Sequence, residues 1–186
     1  QVHAAEPDAD ANPHGAAGID QTLDRVRGCW IQKTEPNGRA TMLLRLLPDR
    51  EHPQWLSGQL QHADGDDPDR RLRVWLARDG RSALLASHAI DDPTAPAPKA
   101  GMSSTKSLVL KPQPRVEFER TPAPTGAPSG APADTVNLDY RERGAGKRLR
   151  IEVSEEHLKL ITAGGPPKLA TTRPVVLFDG RRDGCD

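Results

Sequence analysis

The strongest constraint on this chain is a period-two alternation of apolar and polar residues, held in short segments and broken each time by a turn. Leu72, Val74 and Leu76 alternate with Arg71, Arg73 and Trp75. Leu149, Ile151 and Val153 alternate with Arg148, Arg150 and Glu152. Successive side chains of a strand point to opposite faces, so such a segment buries one face and wets the other. Helical spacing is confined to Ile19, Leu23 and Val26, where Asp20 stands ready to cap one short helix.

The same reading extends along the chain. Residues 29–35 and 40–47 form two strands around Pro36-Asn37-Gly38, and Asn-Gly between strands is a hairpin signal. Residues 55–62 put Trp55, Ser57, Gln59 and Gln61 on one face and Leu56, Gly58, Leu60 and His62 on the other. Asp79-Gly80 turns residues 71–78 into a partner strand over 82–90. Residues 107–110 and 116–119 read as two short strands. Further strands follow over 136–140, 148–153, 158–162 and 175–178. No helix-length segments separate the strands, so a parallel βαβ architecture is excluded. The fold class is all-β: an antiparallel barrel of about eight to ten strands with a short N-terminal helix, and a two-layer sandwich as the alternative.

Apolar content is thin and uneven. Residues 1–18 contain only Val2 among Ile, Leu, Val and Phe, while 91–107 and 121–135 contain none. These three stretches read as a flexible leader and two Pro-rich insertions, because Pro removes donors and Gly has little to bury. The remaining residues, from 19 to 186, make one barrel domain with a modest core. Lys and Arg number 26, and so do Asp and Glu. A balanced chain has no overall electrostatic drive toward nucleic acid or an anionic surface. No apolar run approaches the length of a spanning helix, so no transmembrane segment is expected.

Cys29 and Cys185 stand near opposite ends, without the CxxC spacing of a redox or zinc motif. They read as one disulfide, with two free thiols as the alternative. Such a bond persists mainly in oxidising compartments. The chain begins at Gln1 without an initiator Met, as an exported chain would after signal-peptide removal. Periplasm, secretion or the cell surface is the expected location.

Catalytic signatures are sparse: GxSxG, P-loop, HExxH and dinucleotide fingerprints do not occur. Glu155-Glu156-His157 reads as a solvated turn, and Asp64, Asp66, Asp67 and Asp69 as a solvated acidic loop without EF-hand spacing. No catalytic residue, metal or cofactor is therefore expected. Contact residues are sought instead among Trp55, Trp75, His88, Tyr140, Arg148 and Arg150. Trp55 and Trp75 lie opposite the local leucines, where an exposed indole suits a binding surface. Arg148 and Arg150 belong to a basic run with Arg141, Arg143 and Lys147, which suits an acidic protein or a surface polysaccharide.

Gly28-Cys29-Trp30, opening the first strand after a helical lead-in, resembles the Gly-x-Trp start of lipocalins and their bacterial lipocalin-like relatives. The resemblance implies a calycin barrel whose floor is closed by Trp30 beneath a basic side chain from the last strand, a part assigned here to Arg173. A bridge from the first strand to the C-terminal tail also looks like those of this group. The implied function is a non-enzymatic exported protein that binds a small apolar ligand or an envelope component. The alternative is a protein-interaction module, such as a periplasmic protease inhibitor or a cell-envelope assembly factor.

Overall fold

The computed structural model describes residues 20–34, 39–62, 72–86, 93–94, 115–122, 134–164 and 173–185. One helical turn, α1 (Gln21–Asp24), precedes ten strands. These are β1 (Gly28–Thr34), β2 (Arg39–Pro48), β3 (Trp55–His62), β4 (Leu72–Ala77) and β5 (Ser82–Ala86). They continue as β6 (Arg115–Arg120), β7 (Val136–Glu142), β8 (Arg148–Val153), β9 (His157–Ala163) and β10 (Val175–Asp183). Each strand pairs antiparallel with the next, and β10 returns to β1, so the sheet closes into a barrel. Closure removes the free edges that a sandwich would leave. The all-β class, the short helix and the barrel are thus as the alternation predicts.

The inward phase of the strands is mostly apolar, with Thr162 of β9 a buried polar exception. Leu44 and Leu46, Leu56 and Leu60, Val74 and Leu76, and Ala83 and Leu85 come from β2 to β5. Phe118, Leu138, Tyr140, Leu149, Ile151, Val153, Leu158, Leu160 and Phe178 complete the circuit, and all join one buried cluster. The outward phase carries Arg45, Gln59, Gln61, Glu119, Arg141 and Arg148. That is the reverse of a membrane-spanning barrel, whose outer band is apolar. Among the described residues no helix is long and apolar enough to cross a membrane.

Helix α1 stoppers one end. The Asp20 side chain accepts from Thr22 N at 2.8 Å, an N-cap, and Leu23 and Val26 enter the core. Helical structure is shorter than the 19–26 spacing suggests, because Arg25 and Val26 already turn the chain into β1. Trp30 lies beside them, buried, with its Nε1 donating to Val26 O at 2.9 Å.

The basic partner of Trp30 is Arg182, not Arg173. Its guanidinium lies 4.2 Å from the Trp30 ring, and the two residues are direct register partners. The alternation predicts a last strand that ends at Phe178, whereas β10 runs on to Asp183 and so carries Arg182 alongside Trp30. Arg173 is exposed just before the start of β10, roughly 30 Å along an extended strand from Arg182. Cys29 and Cys185 form the disulfide, with Cα atoms 5.3 Å apart, across the outside of the same β1–β10 seam.

The leader 1–18 lies outside the described residues, as do most of 91–107 and 121–135 and the expected strand over 107–110. Strand β5 is described to Ala86, short of the expected residue 90.

Candidate functional site

The outward residues of β1 to β4 build a groove of about 540 Å³. Its floor follows from register: Leu43 faces Gln61 across β2 and β3, and Gln59 faces Arg73 across β3 and β4. Arg45 and Asp183 stand on the β1 side, and Leu43 is 38% exposed there. Arg45 donates to Cys185 O at 3.4 Å, so the disulfide-tethered C-terminus forms one bank of the groove. Two guanidinium groups, two amides, one hydroxyl and the Asp183 carboxylate supply the polar part of the lining.

At the upper end of the groove a polar cluster is locked in place. The Asp49 carboxylate accepts from Glu51 N at 3.0 Å, His52 N at 2.9 Å and Ser57 Oγ at 2.9 Å. Burial works to raise its pKa, but these donors outweigh it and hold the carboxyl below its usual range. Asp49 also faces Arg73 at 3.8 Å, and Arg73 lies over the Trp75 ring at 4.5 Å. The His52 ring meets Trp75 edge-on at 6.5 Å.

Trp75 corrects the sequence reading. Its side chain is on the outer face, opposite Ser57 and Leu84, yet it is 0% exposed. Polar phase therefore does not mean exposure here, because Arg73 and His52 pack over the ring. Among the described residues its Nε1 has no hydrogen-bond partner.

Trp55 behaves as the alternation suggests. It is half-buried and lines a second cleft of about 350 Å³ over β5 and β6, with Ser82, Leu84, Glu117, Glu119 and Arg143. Arg115 crosses this cleft, bonding Pro93 O at 2.7 Å and pairing with Glu117 at 3.0 Å. Arg143 pairs with Glu119.

Of the remaining candidates, Tyr140, Arg148 and Arg150 come together at one cleft. Tyr140 belongs to the core, 1% exposed, with Arg120 at 5.4 Å from its ring. Arg148 is exposed, and Arg150 Nε donates to Asp139 at 2.7 Å. These two residues line a shallow cleft of about 280 Å³ with Arg141. His157 pairs with Asp179 at 2.6 Å on the outer face, beside exposed Glu155 and Glu156. His88 and Asp64, Asp66, Asp67 and Asp69 lie outside the described residues. Among the described residues no group of three or more His, Cys, Asp or Glu converges as a metal site.

Sequence reasoning missed Leu43, Arg45, Asp49 and Arg73 as site residues. The polar phase of β3 and β4 was legible, but which arginines stand beside those amides depends on strand register.

Compared with known proteins, the chain finds no significant match among family models, curated proteins or solved structures. The barrel is consistent with a calycin-like fold in general.

Proposed function

We propose that this chain is a non-enzymatic binding protein of an oxidising, exported compartment, and that it holds a polar, carboxylate-bearing envelope polysaccharide on the outer wall of its barrel. The observation that carries this reading is the groove over β1 to β4. Arg45 and Arg73 flank Gln59, Gln61 and Ser57 there, beside the Asp183 carboxylate and with Arg73 facing Asp49, a set of donors and acceptors suited to a ligand bearing both carboxylates and hydroxyls. The rival reading is carriage of a small apolar ligand inside the barrel. The contiguous apolar cluster contributed by the strands favours a packed lumen over that role. The Cys29–Cys185 bond supports an oxidising location.

Titration calorimetry with a soluble polyuronate tests the proposal. The native protein is expected to bind, and the double variant R45Q/R73Q to bind at least ~tenfold more weakly, since charge-assisted hydrogen bonds contribute about 1.5–3 kcal/mol each. Equal affinity of the two proteins would overturn the groove assignment. Stoichiometric uptake of a fluorescent fatty acid, unaffected by the double variant, would restore the apolar-carrier reading.

A further inference from the structure

The cleft beside Trp55 has a chemistry of its own. Its floor is Leu84, which is 4% exposed on the outer face of β5. Trp55, half-buried at the start of β3, is part of the lining. The lining also carries two ion pairs, Arg115 with Glu117 and Arg143 with Glu119. Ser82 and Thr94 add hydroxyl-bearing side chains to the lining.

Each guanidinium in this lining is matched by a carboxylate, so the cleft has no net charge to offer. It is nevertheless dense in paired donors and acceptors. An aromatic face in such a lining suits a ligand with one apolar C–H face and an equatorial rim of hydroxyls. An anion would have to displace Glu117 or Glu119 from its arginine. A purely apolar ligand would leave the charged pairs desolvated without compensation. The volume of about 350 Å³ lies at the small end of small-molecule sites.

We infer that the Trp55 cleft is a binding site for a neutral saccharide, whose sugar ring stacks on the indole while its hydroxyls bridge the Arg115–Glu117 and Arg143–Glu119 pairs. This inference rests on the proposal that the outer wall is the binding face, but not on the arginines of the groove. Trp30 and Trp75, the other two tryptophans, are 1% and 0% exposed and act as built-in reporters of an intact fold.

The test is an indole N–H NMR titration of the ¹⁵N-labelled full chain with cellohexaose, maltohexaose and chitohexaose. The Trp55 resonance is assigned by its disappearance in W55F. Addition of at least one neutral hexasaccharide is expected to shift the Trp55 indole while Trp30 and Trp75 stay in place. W55A is expected to weaken binding ~tenfold or more, and W55F, which keeps a ring face, to weaken it less. E119Q, which breaks the charge balance without altering shape, is expected to weaken it also. R45Q/R73Q is expected to leave this titration unchanged, whatever becomes of polyuronate binding. An unmoved Trp55 indole with all three sugars would overturn the proposal. So would a larger shift with a polyuronate or with a proline-rich decapeptide than with any neutral sugar.

Discussion

Tyr140 is the one tyrosine of the chain, and it sits inside the barrel with the Arg120 guanidinium near its ring. Burial pushes its phenol from 10.0 up to about 12, against the opposing pull of Arg120. In the unfolded chain the phenol deprotonates near its ordinary value. Between those two values the unfolded state binds fewer protons than the native state, so stability falls as pH rises. The stabilisation is complete below pH 10 and is lost progressively toward pH 12. Phenolate absorbance reads this residue alone and is expected to titrate near 12 in the folded protein. Urea unfolding of Y140F is expected to lack the tyrosine-linked part of the alkaline loss, which amounts to on the order of 2–3 kcal/mol in the native chain. A folded-state titration at the ordinary phenol value would place the hydroxyl in water instead. The direction of its side chain was legible in the sequence, although the residue serves the core and not a contact surface. The alternation of Val136, Leu138 and Tyr140 placed it with the apolar phase, and burial follows from that phase.

The elements around the closed end depend on one side chain of β10. Arg182 donates from Nε to Glu155 O at 2.6 Å, from Nη1 to Arg27 O at 3.0 Å and from Nη2 to Arg25 O at 2.8 Å. It thereby ties the β8–β9 turn and the exit of α1 to the last strand, with its flat face over Trp30. Gly28 makes room for it: a Cβ there would stand 2.7 Å from Arg182 Nη1, and its φ of +140° is one that L side chains rarely adopt. The Gly-x-Trp spacing thus has a local cause, an uncluttered backbone two residues before the indole-bearing position. Arg182→Met is expected to cost about 3 kcal/mol in urea denaturation, from three carbonyl partners at ~1 kcal/mol each and a smaller cation–π contribution. Arg182→Lys is expected to recover only part of that, because an ammonium cannot reproduce the planar fork. If R182M unfolded at the native midpoint, these bonds would be dispensable to the closed end. Gly58 shows the same logic between strands, since a Cβ there would collide with Arg45 O, leaving no space for one where β2 and β3 pair.

For the whole molecule, the costly step is closing the sheet. Most strand pairs are neighbours in sequence, but β1 and β10 meet across almost the full chain, and their ladder spans three register pairs. Joining such distant segments carries a large loop entropy before any contact offsets it. The Cys29–Cys185 bond, with a sequence separation of 156, holds that seam in the unfolded state. Chain-entropy reasoning puts its contribution at about 5 kcal/mol. C29S/C185S is expected to be destabilised by an amount approaching that value and to refold more slowly than the oxidised protein in stopped-flow fluorescence. Unchanged refolding would mean that seam closure follows the rate-limiting step. Reduction is also expected to loosen the bank of the groove formed by Asp183 and Gly184.

What the sequence alone determined was the set of faces. Period-two alternation sorts each strand into a wet side and a dry side with no knowledge of its neighbours, and Asn-Gly and Asp-Gly mark where the chain reverses. The all-β class, the antiparallel pairing and the inward leucines follow from those local rules. Only the tertiary structure decided which residues share a site. Register placed Arg182 rather than Arg173 over Trp30, set Gln59 beside Arg73 and buried Trp75 on an outward face. The physical reason is that a residue's face depends on its own strand, whereas its neighbours depend on closure of the whole barrel, a non-local balance that no short segment encodes.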